Sequence, residues 1–275
     1  MLGKLMKYDL RSCLRKFGPL WLATLALSVV TGLFFRFANK AQSNSVLMGI
    51  LTALLPTALV ILIVTIGVLT LVFVCERFYK GLLGDEGYLM HTLPATAGAH
   101  IASKGLTALI LELVSGLVGL LSAFLIVLTF QPEELARGWQ DFLTMLRSFD
   151  FPAATPWLII ELFLVGVVVT ATETLKIYAA ISLGHLAKRR RVLWAILAYI
   201  GIDVVINSLF GAGVSSGLLA KLFVRASWDT FEQFCSSGLG VAAGLMGSAI
   251  LWELLLGAAF FFLSRYILKK HLNLE

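Results

Sequence analysis

Six long apolar runs constrain this chain more than any other feature: Phe17 to Phe35, Val46 to Cys75, Gly105 to Phe130, Pro156 to Leu183, Val192 to Phe210 and Leu239 to Leu263. A helix needs about 20 mainly apolar residues to cross the hydrocarbon core of a bilayer, and each run meets or approaches that length. Hydrocarbon offers the backbone no hydrogen-bond partner, so a spanning segment must be helical or part of a closed barrel. Barrel strands are about 10 residues long with alternating polarity, which these uninterrupted runs are not. An all-α integral membrane fold of six transmembrane helices is therefore expected. It forms a single transmembrane domain over residues 1–275, with little chain left for a soluble one. Composition agrees, at 59% hydrophobic and 14% charged residues with a mean hydropathy of +0.91, whereas soluble domains carry about 25% charged residues.

Basic residues set the orientation, because cytoplasmic loops carry the excess of Lys and Arg. With the N-terminus inside, fifteen of them fall on the inner side, at the N-terminus, in the second and fourth loops and at the C-terminus. Six fall outside: Arg36, Lys40, Arg137, Arg147, Lys221 and Arg225. Both termini are then cytoplasmic in a cell membrane. The net charge of +6 follows from topology and from contact with anionic lipid, and requires no nucleic-acid partner. The opening of the chain imitates a signal peptide. Arg36-Phe-Ala-Asn-Lys40 nevertheless offers no small-x-small cleavage site, so an uncleaved first span is expected. Cys13, Cys75 and Cys235 are scattered and read as free thiols rather than a disulfide framework.

Three segments outside the runs carry helical or interfacial patterns. Leu2, Leu5, Met6, Leu10, Cys13, Leu14 and Phe17 share one helical face while Lys4, Lys7, Arg11 and Arg15 fill the rest. That is a basic amphipathic helix over residues 1–16 lying on the inner surface. Pro132 followed by Glu133 and Glu134 has the chemistry of a helix start, and Leu135, Trp139, Phe142, Leu143, Leu146 and Phe149 then line one face. An interfacial helix on the outer leaflet is predicted there. Gly211 to Gly238 is too broken to span and too apolar for a free loop, which fits a re-entrant or interfacial outer segment before the last span. Gly240, Gly244 and Gly247 place small residues on one side of that span, permitting close helix packing.

The ionisable residues inside the runs are Glu112, Glu161, Glu173, Lys176, Asp203 and Glu253. A charge at the bilayer centre costs about 2.5–3.5 kcal/mol on insertion scales, so these side chains should face protein or water and are candidates for a translocation path. Glu112 and Glu161 lie nearer the ends of their spans. Glu173 and Lys176 are three residues apart on one helix and can neutralise each other. Asp203 and Glu253 sit deepest without a local partner in sequence. Catalytic patterns are missing. No His-Glu-x-x-His pair occurs, His91, His100, His185 and His271 lack metal-ligand spacing, and no Gly-x-x-x-x-Gly-Lys-Ser/Thr loop is present to hold ATP. The chain is not expected to be an enzyme or to bind a metal or cofactor of its own.

One polar stretch stands out between the second and third spans: Glu76-Arg77-Phe78-Tyr79-Lys80, then Asp85-Glu86-Gly-Tyr88-Leu89-Met90-His-Thr92-Leu93-Pro94, and finally Ser103-Lys104. It resembles the cytoplasmic hairpin of type-2 ABC exporter permeases, in which Glu-Arg at the inner end of the second span is followed by a turn, Leu-Leu-x-Thr-Leu-Pro, and a Lys opening the next helix. The version here is similar to a branch common in Gram-positive bacteria. The resemblance implies a permease that pairs with a second copy or a sister permease and with separate ABC-type ATPase subunits, which bind the ATP and Mg. It also implies that the 76–104 hairpin is a coupling helix seated in a cleft of the ATPase. Phe78, Tyr79, Tyr88, Leu89 and Met90 would supply buried contact there. Glu76, Arg77, Lys80, Asp85 and Glu86 would fix register, while Thr92, Leu93, Pro94 and Lys104 complete the motif. Two other classes stay open: a secondary transporter coupling protons through Asp203, Glu253 or Glu173, and a non-transporting membrane scaffold or sensor.

Overall fold

The computed structural model describes residues 2–41, 46–83, 96–148, 155–187, 189–215 and 238–270. Among the described residues the chain is helical throughout, with α1 (Leu2–Ala41), α2 (Val46–Phe78), α3 (Ala97–Phe130), α4 (Pro132–Ser148), α5 (Thr155–His185), α6 (Arg191–Ser215) and α7 (Gly238–Lys270). A single π-helical turn, Tyr79–Leu83, follows α2 directly. Five segments are long and apolar enough to cross a membrane: Met6–Asn39, Val46–Leu83, Gly98–Phe130, Arg191–Leu209 and Met246–Lys270. The protein is thus a multi-pass helical membrane protein. The fourth expected span, 156–183, forms α5 at 31 residues but is not among these five. It carries Glu161, Glu173 and Lys176, the densest charge of any of the expected spans.

Two boundaries differ from the sequence expectation. The amphipathic segment 1–16 and the first span join in one helix of 40 residues, about 60 Å at 1.5 Å per residue. Residues 2–16 hold good helix formers and no glycine beyond Gly3, and Pro19 stays inside α1, as prolines in membrane helices do where neighbouring helices re-satisfy the freed carbonyl. The inner hairpin is also shorter than its polar residues imply, because α2 and its π turn continue to Leu83 and α3 begins at Ala97. Thr96 caps α3 by accepting the Ala99 amide proton on its Oγ1 at 3.3 Å. The outer helix starts at Pro132 as expected, and Trp139 on its predicted apolar face is exposed. Of the segment before the last span, 211–238, the first five residues continue α6 to Ser215 and Gly238 opens α7, while 216–237 lie outside the described residues.

The described chain forms two compact units. In one, Gly3–Phe73 with Ile110–Phe151, the core is Cys13, Phe17 and Leu111, with Leu20, Trp21 and Phe73 packed on it. Phe17 meets Phe73 edge to face at 5.5 Å, and Trp21 donates Nε1–H to Ser115 Oγ at 3.2 Å. Thr24, Ser28 and Thr31 are fully buried on one face of α1, each donating to a carbonyl of the turn before it at 2.7–2.8 Å. Hydroxyls satisfied within their own helix make a smooth face that admits a close neighbour. A Cβ on Gly32 would collide with Thr129 of α3.

The other unit comprises Val74–Leu109 and Pro152–Glu275 together with Met1–Leu2. Helix α5 is its centre, packed against both α6 and α7. Its approach to α6 is set at Gly184, where a Cβ would stand 2.5 Å from the Ala195 backbone nitrogen. The expected glycine contact at Gly247 exists as well, a Cβ there lying 3.1 Å from Glu161 Oε1.

Candidate functional site

The base of the inner hairpin is built from the end of α2. Phe78 is fully buried and stacks on Tyr178 of α5 with ring centres 4.0 Å apart and planes 10° from parallel. Val74, Leu82, Leu83, Ile101, Ala108 and Leu268 close the same core. Lys104 of α3 is itself buried, and its Nζ donates to the Arg77 carbonyl at 3.2 Å. Gly81 lies so close to that ammonium that a side chain there would displace it. Tyr79 is half-buried with its ring 6.4 Å from the His185 ring. Glu76 and Lys80 pair with each other on the exposed side of the helix, a contact worth about 0–1 kcal/mol.

This arrangement corrects the roles given to two hairpin residues. Phe78 and Lys104 belong to the interior of their own unit and present no surface for a partner to grip. They anchor the arms of the hairpin. Exposed Glu76 and Lys80 and half-buried Arg77 and Tyr79 remain on the accessible side. Asp85, Glu86, Tyr88, Leu89, Met90, Thr92, Leu93 and Pro94 lie outside the described residues.

A second polar constellation sits where α5 faces α6. Lys176, with 6% of its side chain exposed, donates to Glu173 Oε1 at 2.8 Å and to Asp203 Oδ1 at 2.9 Å. Asn207 Nδ2 donates to the other Asp203 oxygen at 3.2 Å, and the Tyr199 hydroxyl donates to Glu173 Oε2 at 3.3 Å. The ammonium also lies 4.8 Å from the centre of the Tyr199 ring. The Glu173–Lys176 pair expected from spacing is present, and Asp203, which has no local partner in sequence, finds one 27 residues away. Two carboxylates around one ammonium leave one negative charge, spread over Tyr199 and Asn207.

The remaining intramembrane acids do not join this constellation directly. Glu253 lies within electrostatic reach of Glu173 and Lys176, while Thr172 donates its hydroxyl to the Glu253 carbonyl at 3.0 Å and ties α5 to α7. Glu161 faces Gly247, and Glu112 belongs to the other unit. Among the described residues no group of three His, Cys, Asp or Glu side chains could hold a metal ion.

Where α5 turns into α6, His185 accepts a hydrogen bond from Arg191 Nη1 to its Nε2 at 3.3 Å. Burial and the Arg191 charge push the His185 ring below its ordinary pKa, against a backbone hydrogen bond with Leu83 that favours the proton. Arg190, beside it, holds a φ of 57°, the left-handed region that side chains avoid. Neither feature has a signal in sequence beyond the run Lys188-Arg189-Arg190-Arg191. No protein-family model, curated protein or solved structure matches this chain.

Proposed function

We propose that this chain is the transmembrane permease subunit of an ATP-driven ABC exporter, moving an amphipathic or hydrophobic substrate such as a peptide, an antimicrobial or a lipid by alternating access. The observation that carries the proposal is the anchoring of the hairpin. An ATPase that closes beneath the membrane moves a helix only through a stiff element, and bistable packed interfaces transmit such motion better than deformable ones. Phe78 stacked on Tyr178 ties the first arm of a motif-bearing hairpin to α5, the helix on which α6 and α7 pack, and Lys104 bonded to the Arg77 carbonyl ties the second arm to the first. A loop that only reconnected two spans would need no such anchoring. In this account the chain crosses a bacterial cell membrane six times with both termini in the cytoplasm, α5 being the fourth span. The motif residues between the two arms, Asp85 to Pro94, make the contact with the ATPase.

The proton-coupled alternative rests on the Lys176 constellation, and the bonds that Lys176 makes to Glu173 of its own helix and to Asp203 of α6 favour a role in holding α5 to α6. The two are separated by hairpin variants. Tyr88→Ala/Leu89→Ala is expected to abolish the chain's stimulation of its ATPase while leaving the permease folded, and Glu76→Ala to weaken it. Unchanged stimulation and transport in both would sink the exporter proposal. Transport lost in Asp203→Asn and dependent on a pH gradient, with ATP irrelevant, would favour the alternative.

A further inference from the structure

Beyond the proposed transport role, and independent of it, one groove has a chemistry of its own. It is a shallow, open depression along the consecutive residues 189–197, suited to a molecule that lies against the chain. Arg189, Arg190 and Arg191 line one end, and Leu193, Ile196 and Leu197 line the other. Among the described residues, neither Arg189 nor Arg190 makes an ion pair, and Arg191 is held by neutral-seeking His185 rather than by an acid. Three guanidiniums without a carboxylate call for an anion. The apolar wall, in turn, begins the span Arg191–Leu209, so the groove stands where the end of a membrane helix meets the headgroup layer.

Backbone strain at the same place strengthens the case. Arg190 is the one described non-glycine residue with positive φ, and strain of this kind persists where surrounding structure or function demands it. Glycine would adopt the same backbone at no steric cost. What glycine lacks is the guanidinium, the middle one of three consecutive in sequence.

We infer that this groove is a binding site for an anionic phospholipid, its phosphate held by Arg189, Arg190 and Arg191 and its upper acyl chain lying along Leu193, Ile196 and Leu197. Bidentate guanidinium–phosphate contacts give the recognition, and the apolar wall distinguishes a lipid from a free phosphate. The site is a specific one, in contrast to the diffuse attraction of any basic loop to an acidic surface.

Native mass spectrometry of the full-length protein purified in detergent tests this with phosphatidylglycerol, phosphatidylcholine and inorganic phosphate as probes. Phosphatidylglycerol is expected to be retained in preference to phosphatidylcholine, and millimolar phosphate is not expected to displace it. Arg190→Gly keeps the backbone and removes one guanidinium, so retention should fall about fivefold with no loss of thermal stability. Ile196→Trp fills the apolar end, leaves every charge in place and should lower retention as well. Equal retention of the two lipids, or both variants binding as the parent does, overturns the inference. Displacement by inorganic phosphate overturns it too, because the site would then read a phosphate and no lipid.

Discussion

At the scale of single residues, Lys176 is the side chain whose loss should be felt most. Removing it leaves Glu173 and Asp203 facing each other without a counter-charge, and breaking a buried ion pair in this way costs about 3–5 kcal/mol. Since both acids keep 47% of their side-chain surface, Lys176→Met should fall toward the lower end of that range. Thermal unfolding in detergent measures it, and the triple change with Glu173→Gln and Asp203→Asn should recover part of the loss. Of that constellation, the Glu173–Lys176 pair was legible in a spacing of three on one helix. The Asp203 partner was not, because it depends on how α6 crosses α5, which no local pattern encodes. His185 gives a second prediction. Its folded pKa lies below the unfolded value of about 6.5, so the unfolded chain binds its proton first. The contribution of neutral His185 is complete above about pH 6.5 and is lost as the pH falls through the lower folded value. Histidine-selective NMR should place the His185 midpoint below the ordinary one, and an ordinary midpoint would contradict the packing described. At Arg190, a left-handed L-residue costs about 1–2 kcal/mol, part of which glycine forfeits through unfolded-state entropy. Arg190→Gly should therefore raise stability by about 0.5–1 kcal/mol.

The helices themselves were readable because a bilayer imposes length and polarity on them more strictly than a soluble core does. All six apolar runs lie within helices, and Pro132 marks the start of α4. Hydropathy read the ends less well. Lys104, Ser103 and His100 look like loop residues, yet all three are buried within α3, since an amphipathic extension of a span keeps its helical hydrogen bonds after it ceases to be apolar. Phe78 is hard to read for a related reason: an aromatic next to charges resembles a docking knob until its stacking partner, 100 positions along the chain, is known. Close helix approach gives a test at this scale. At Gly184 the Cβ of an alanine would meet the Ala195 backbone at 2.5–2.6 Å, and backbone cannot rotate out of the way. Gly184→Ala should push α5 from α6 and lower stability by about 1–3 kcal/mol, as overpacking does. Gly201 on α6 has nothing within 4 Å of such a Cβ, and Gly201→Ala should be neutral or stabilising by up to about 1 kcal/mol. Similar melting temperatures for the two variants would count against the α5–α6 contact.

For the molecule as a whole, membrane residence follows from the sum of its spans, whereas the proposed activity depends on a partner that supplies the ATP chemistry. The chain contains no P-loop sequence, so in the proposed exporter the energy for transport would enter through a protein contact. The hairpin combines a motif at its tip with buried anchors at its base, and it is the place where such a contact would do mechanical work on α5. The most direct measurement is purification of the tagged full-length chain from its native membranes, followed by determination of the composition and ATPase activity of what comes with it. A stable complex containing an ABC-type ATPase at one subunit per permease is predicted, with that ATPase lost when Tyr88→Ala/Leu89→Ala is introduced. Recovery of the intact permease with no ATPase, and of transport that persists without ATP, would contradict the account.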